Sequence, residues 1–187
     1  MDDLYMDYIN RLARMTLPDS YRSQLTYIQP SSKYSQSEAG PVPQPFPGYS
    51  VVTPPRPDDP GNEAVYAALE TLQNDLKRQL GEIVAMVPPD SLHLTLADLI
   101  WYDAYRTAAQ SPDFHGKLQQ AIAYSFQDYQ RRTAQSASPC AWQILGLVIM
   151  PRAVGVVLAP KTEAAYQQIL NLRRSIYQNR SLMALGV

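Results

Sequence analysis

Hydrophobic positions along this chain change period several times, and each change predicts an element. Leu4, Tyr5, Tyr8, Ile9 and Leu12 recur at three- and four-residue spacing, the signature of an amphipathic helix. A break near Pro18 follows, with Asp19 or Ser20 placed to cap a restart through TLPDSYRSQLTYI. Residues 1–29 thus read as a helical N-terminal arm, either packed on a main domain or presented to a partner. Residues 30–47 are rich in Pro and Ser and predict an extended connector, partly polyproline II. GYSVVT (48–53) is a short strand. Asn62 caps and Gly81 stops a helix whose stripe is Val65, Leu69, Leu72, Leu76 and Leu80. EIVAMV (82–87) reads as a buried strand, PPD as a turn, and SLHLTLADL (91–99) as a strand of period two.

A second helix, announced by Ser111 and Pro112, carries Leu118, Ile122, Phe126 and Tyr129 on one face. AWQILGLVIM (141–150) and AVGVVLAP (153–160) are joined only by Pro151 and Arg152, so they form an antiparallel hairpin. A last helix runs from about Thr162 to Gln178. The order strand, helix, strand, strand in the first half begins again at residue 153, a weak repeat of elements rather than letters. The class is α+β, with antiparallel-rich sheets and outer helices, and residues 48–187 form the main domain.

Composition narrows the chemistry. The net charge of the 187 residues is -1, so no global basic field exists to hold duplex nucleic acid. A single cysteine, Cys140, rules out an internal disulfide and a Cys-based metal cage and fits a reducing compartment. Nothing near it in sequence would activate a thiol, so it reads as a strand-edge residue. The acidic MDDLYMDY start lacks the apolar segment of a secretion signal, and no apolar run is long enough for a bilayer, so a cytoplasmic protein with no membrane partner is expected.

Only two histidines occur. His93 alternates with leucines: Leu92, Leu94 and Leu96 point one way in a strand, and Ser91, His93, Thr95 and Ala97 the other. An imidazole transfers protons near neutral pH, and a hydroxyl two residues on donates to a phosphoryl oxygen without titrating. His93 and Thr95 therefore suit a phosphodiester, although an exposed strand face carries such a pair by chance as well.

SLHLTLADL, after strand–helix–strand, resembles the first His-x-Thr/Ser-hydrophobic signature of the two-histidine (2H) phosphoesterase superfamily, which includes RNA ligase-like and cyclic phosphodiesterase-like proteins. PFPGYSVVTPP, PPDSLHLTLADLIWYDAYR and WQILGLVIMPRAVGVVLAP resemble a cyanobacterial branch with a domain of unknown function, over about residues 40 to 187. The resemblance implies two lobes facing one groove, each giving one His-x-Thr/Ser strand, with one histidine as general base and the other as general acid on a 2′,3′-cyclic phosphate. It implies no metal, and no cofactor is expected. His93 would be the acid or base of the first lobe, and Thr95 its phosphate-holding hydroxyl. A second His-x-Thr/Ser does not occur; His115, in SPDFHGKL, reads as a helix-surface residue. The second signature is expected beyond Val187, so the last strands of the second lobe are expected to be missing and a sheet edge left free for a second copy.

Arg152 at the hairpin turn is a candidate phosphate ligand, and Tyr49 and Trp142 are candidates to stack on a base. Each has a plain alternative: a solvated turn charge, or ring packing. Arg173 and Arg174 read as a wet helix face. Two functions follow: a phosphoesterase-like domain binding, and with a second motif hydrolysing, a small cyclic nucleotide or RNA end; or a non-enzymatic interaction protein on a worn phosphoesterase frame.

Overall fold

The computed structural model describes residues 4–38, 40–133 and 140–187. In chain order the elements are α1 (Tyr5–Met15), α2 (Pro18–Leu25), β1 (Tyr34–Ser37), β2 (Gly40–Pro43), β3 (Gly48–Val52), α3 (Glu63–Leu80), β4 (Thr95–Trp101), α4 (Tyr102–Ala108), α5 (Phe114–Thr133), β5 (Trp142–Met150), β6 (Ala153–Pro160), α6 (Glu163–Tyr177) and α7 (Arg180–Ala184). Three antiparallel pairs, β1–β2, β3–β4 and β5–β6, stand beside these helices, which makes the fold α+β.

Several predicted elements are corrected. Residues 82–87 form no strand. Gly81, at φ +60°, ends α3 in a conformation that favours glycine, and a 3-10 turn follows at Gly81–Ile83. The Val87 N–H then bonds the Gln73 side chain of α3 at 3.0 Å, so a helix side chain replaces a ladder partner. The strand–helix–strand–strand repeat fails at that point. Residues 30–47 are not merely extended: Tyr34–Ser37 and Gly40–Pro43 close a hairpin. The strand expected over 91–99 starts at Thr95, because Pro89–Ser91 is a 3-10 turn.

Two compact units make up the chain. The first comprises residues 1–31 and 113–185. Here α1 turns its apolar stripe onto the β5–β6 hairpin: Leu12, Val157 and Ala159 are buried, with Tyr8, Ile9, Met15 and Val148 against them. Tyr8 stacks on Tyr166 of α6 with ring centres 4.8 Å apart, and the Tyr5 hydroxyl donates to the Pro160 carbonyl at 2.9 Å. The Tyr21 hydroxyl of α2 donates to the Leu147 carbonyl at 2.8 Å. Behind this layer α5, α6 and α7 bury Phe114, Leu118, Leu170, Ile176 and Leu182; full burial of such a side chain stabilises by roughly 1.5–3 kcal/mol. Asn179 joins the three helices. Its Oδ1 accepts from the Ser181 and Leu182 N–H groups, and its Nδ2 donates to the Ala121 carbonyl and the buried Ser125 hydroxyl.

The second unit comprises residues 32–112 and 186–187. Gly48 sits so close to β4 that a Cβ there would lie 2.4 Å from the Ile100 carbonyl oxygen. At the far end of β4, Tyr102 has φ +46°, a conformation that costs a non-glycine residue about 1–3 kcal/mol. It is held there on several sides. Its N–H bonds the Pro47 carbonyl at 2.8 Å, Phe46 stacks on its ring at 5.1 Å, and the Arg106 guanidinium lies 4.4 Å from the ring centre. Of the predicted α3 stripe, Leu69, Leu72 and Leu76 are half-buried while Val65 and Leu80 are exposed; Tyr66 is the buried residue of that helix.

Candidate functional site

The segment carrying His93 is fixed by its two neighbours. Leu92 and Leu94 are tied to the chain after β3: the Arg56 N–H donates to the Leu92 carbonyl at 3.2 Å, and the Thr53 N–H donates to the Leu94 carbonyl at 2.9 Å. The Leu94 N–H is satisfied by the Thr53 hydroxyl at 2.9 Å. Between these anchors the His93 side chain is exposed. Its Nδ1 lies 2.7 Å from the Ser91 carbonyl oxygen. A carbonyl can only accept, so Nδ1 is the donor in this contact and Nε2 is the ring nitrogen left for a ligand.

The ladder decides which residues share Thr95's side. Val51 pairs with Ala97 but Val52 pairs with Thr95, leaving Leu96 as an extra residue; Tyr49 pairs with Ile100 and Ser50 with Asp98, leaving Leu99 extra. Cross-strand partners share a face and β3 alternates regularly, so each bulge reverses the parity of β4. Ala97 and Ile100 consequently lie on one face and are buried, 2% and 3% exposed. Thr95 and Asp98 lie on the other, with Ser50 and Val52. Beyond the ladder, Leu94 stays opposite Thr53, held by the Thr53 N–H on its carbonyl, and His93 precedes the strand. Ala97, expected beside His93 and Thr95, is thus corrected to the opposite face. Ser50 and Asp98 join the polar side, a pairing that strict alternation of the letters conceals.

Tyr49 belongs to the other face and lies against Tyr105, ring centres 5.8 Å apart. Arg152 and Trp142 belong to the first unit. Arg152 donates from Nη2 to the Gln29 side chain at 3.2 Å, and the Trp142 indole N–H donates to the Cys140 sulfur at 3.2 Å. Burial of that sulfur, opposed in part by the indole hydrogen bond, pushes the Cys140 thiol above its ordinary pKa, which leaves it a poor nucleophile. His115 is exposed in the first turn of α5, edge-on to Phe114. Arg56, whose backbone holds Leu92, has its guanidinium bound by Glu63 and by Glu70 at 2.9 Å. Those hydrogen bonds raise its pKa and hold the Glu63 carboxyl below the usual range. Among the described residues no cluster of three or more His, Cys, Asp or Glu side chains is placed to hold a metal ion, and no helix is long and apolar enough to cross a membrane.

Residues 36–133, from within β1 to the end of α5, match the family described as 2H-phosphodiest, a domain of unknown function (DUF1868). The chain belongs to this family. The match covers more than half of the chain and includes His93, Thr95, Ser50 and Asp98, whereas Trp142 and Arg152 fall outside it. No curated protein and no solved structure matches the chain. The DUF1868 relationship makes this a phosphoesterase-type domain, and its matched region holds one histidine in a His-x-Thr sequence, His93, and a second, His115, on a helix.

Proposed function

We propose that the DUF1868 chain binds a small cyclic nucleotide, or the 2′,3′-cyclic phosphate of an RNA end, at His93 and Thr95. The observation that carries this reading is the orientation of the His93 ring. In the neutral ring with Nδ1 donating to Ser91, Nε2 is the basic nitrogen and accepts a proton from an attacking water or hydroxyl. Thr95, the first residue of β4, donates its hydroxyl to a phosphoryl oxygen. Opening a cyclic phosphodiester needs a proton removed on one side and delivered on the other. A positioned acid or base contributes about two to four orders of magnitude each, so a site with one imidazole keeps binding better than turnover.

The test is binding and hydrolysis of 2′,3′-cyclic nucleotides by wild type, His93→Ala and Thr95→Val, followed by titration calorimetry and product analysis. Weaker binding in both variants, with any hydrolysis lost in His93→Ala, is the expected result. Equal behaviour of all three proteins would remove His93 and Thr95 from the chemistry.

The single His-x-Thr sequence favours a second reading, an interaction or scaffolding protein that retains the phosphoesterase frame without turnover. A tight protein partner captured by a chain that binds no nucleotide would establish it.

A further inference from the structure

We infer that a cleft in the first unit, between α1, α2 and the turn end of β5, binds a small organic anion: a phosphate or carboxylate carried on an apolar body. The cleft has a volume of about 640 Å³, within the usual range for small-molecule sites. Its form follows from the two helices. The apolar stripe of α1 is used against β6 and α6, so the opposite stripe, Asp7, Asn10, Arg11 and Arg14 at i, i+3, i+4 and i+7, lines the cleft. From α2 come Ser20, Ser23 and Gln24 at i, i+3 and i+4. The floor is apolar: Val148, Ile149 and Met150, the last 43% exposed.

Charge selects the ligand. Arg11 and Arg14 outnumber Asp7, and the Arg14 guanidinium has no carboxylate partner among the described residues. Exposed arginines ordinarily find water; the Arg11 guanidinium instead lies over the Tyr8 ring, 5.3 Å from its centre, while Arg14 lines a cleft with an apolar floor, where an oxyanion gains charge-assisted hydrogen bonds and its apolar body covers Val148 and Met150. The walls are held in place before any ligand arrives. The Ser20 hydroxyl donates to the Arg14 carbonyl at 2.6 Å and fixes the corner between the helices. The Gln29 N–H donates to the Pro151 carbonyl at 2.7 Å and fixes the turn at the floor's end, one residue before Arg152. Every lining residue belongs to the first unit, while His93 and Thr95 belong to the second, so the two sites stand or fall separately.

The experiment titrates the whole chain with phenyl phosphate, octanoate and inorganic phosphate, followed by calorimetry and by amide chemical shifts of α1 and α2. Saturable binding of phenyl phosphate or octanoate is expected, at least tenfold tighter than inorganic phosphate, with shifts confined to the cleft. Whichever of the two binds tells phosphate from carboxylate. Arg14→Gln weakens it about tenfold. Arg22→Gln is the control: it removes the same charge from α2, but its guanidinium is paired with Asp19 and is not in the cleft. Absence of saturable binding to wild type overturns the inference. So does equal weakening by Arg22→Gln and Arg14→Gln, which would reveal a general field effect, or binding no tighter than that of inorganic phosphate, which would deny the floor a part. Circular dichroism of each exposed-site variant verifies the fold.

Discussion

The hydroxyl of Thr53 accepts the backbone N–H of Leu94 at 2.9 Å, standing where a strand carbonyl would otherwise close the next rung of the β3–β4 ladder. With the Thr53 N–H on the Leu94 carbonyl, that bond ties the residue before Thr95 to the end of β3 and helps to hold the segment that carries His93.

Thr53→Val keeps the shape and removes the acceptor. A part-buried N–H left without a partner costs about 1–3 kcal/mol. The expected outcome is a lower denaturation midpoint, faster hydrogen exchange at the Leu94 amide and weaker ligand binding at His93, all restored by Thr53→Ser. An unchanged exchange rate at Leu94 would show that the hydroxyl does not hold this segment.

Arg56 links the turn after β3 to Glu63 and Glu70 of α3, and the pair sets a pH dependence. Hydrogen bonding to Arg56 depresses the Glu63 pKa in the folded state below its unfolded value. The stability it contributes is therefore present above the unfolded pKa and is lost as pH falls through the folded one. Melting temperatures recorded between about pH 6 and pH 3 should fall more steeply for wild type than for Arg56→Gln, since carboxylates with ordinary pKa values titrate near 4. Parallel curves would mean the bridge contributes nothing.

Asn179 uses both ends of its amide. Asn179→Ala loses the α7 cap and the bonds to Ala121 and Ser125, for an expected destabilisation of about 2 kcal/mol or more. Asn179→Asp separates the two roles. It keeps the capping oxygen but faces the Ala121 carbonyl with an acceptor, so chemical denaturation should find it nearly as damaged as the alanine variant. Wild-type stability in Asn179→Asp would assign the whole effect to the cap.

Helical periodicity carried much of the fold into view. The stripe through Tyr5, Tyr8, Ile9 and Leu12 predicts a helix where α1 lies, and the two-residue link at Pro151 and Arg152 predicts the β5–β6 hairpin within a residue. Short elements escaped: α4 and α7 are too brief to show a period, and the β1–β2 hairpin is written in Pro, Ser and Gln, which look like connector. EIVAMV has the composition of a strand but finds no ladder partner, a tertiary fact invisible in a local window. The spacing of His93 and Thr95 is what makes them candidates. Spacing does not bring Asp98 and Ser50 to the side of Thr95, because two bulges shift β4 by one residue each and alternation counts cannot register them.

The division of the first unit between the two ends of the chain has a consequence for its birth on the ribosome. Tyr5 meets Pro160 across 155 residues. At translation speeds of roughly 5–20 residues per second, α1 emerges on the order of ten seconds or more before its partners exist. Throughout that interval its stripe of tyrosine, isoleucine and leucine stands uncovered, and residues 32–112 are all made before the partners of α1 are. The helices α1 and α2 are therefore the part of the first unit that is made earliest and covered last.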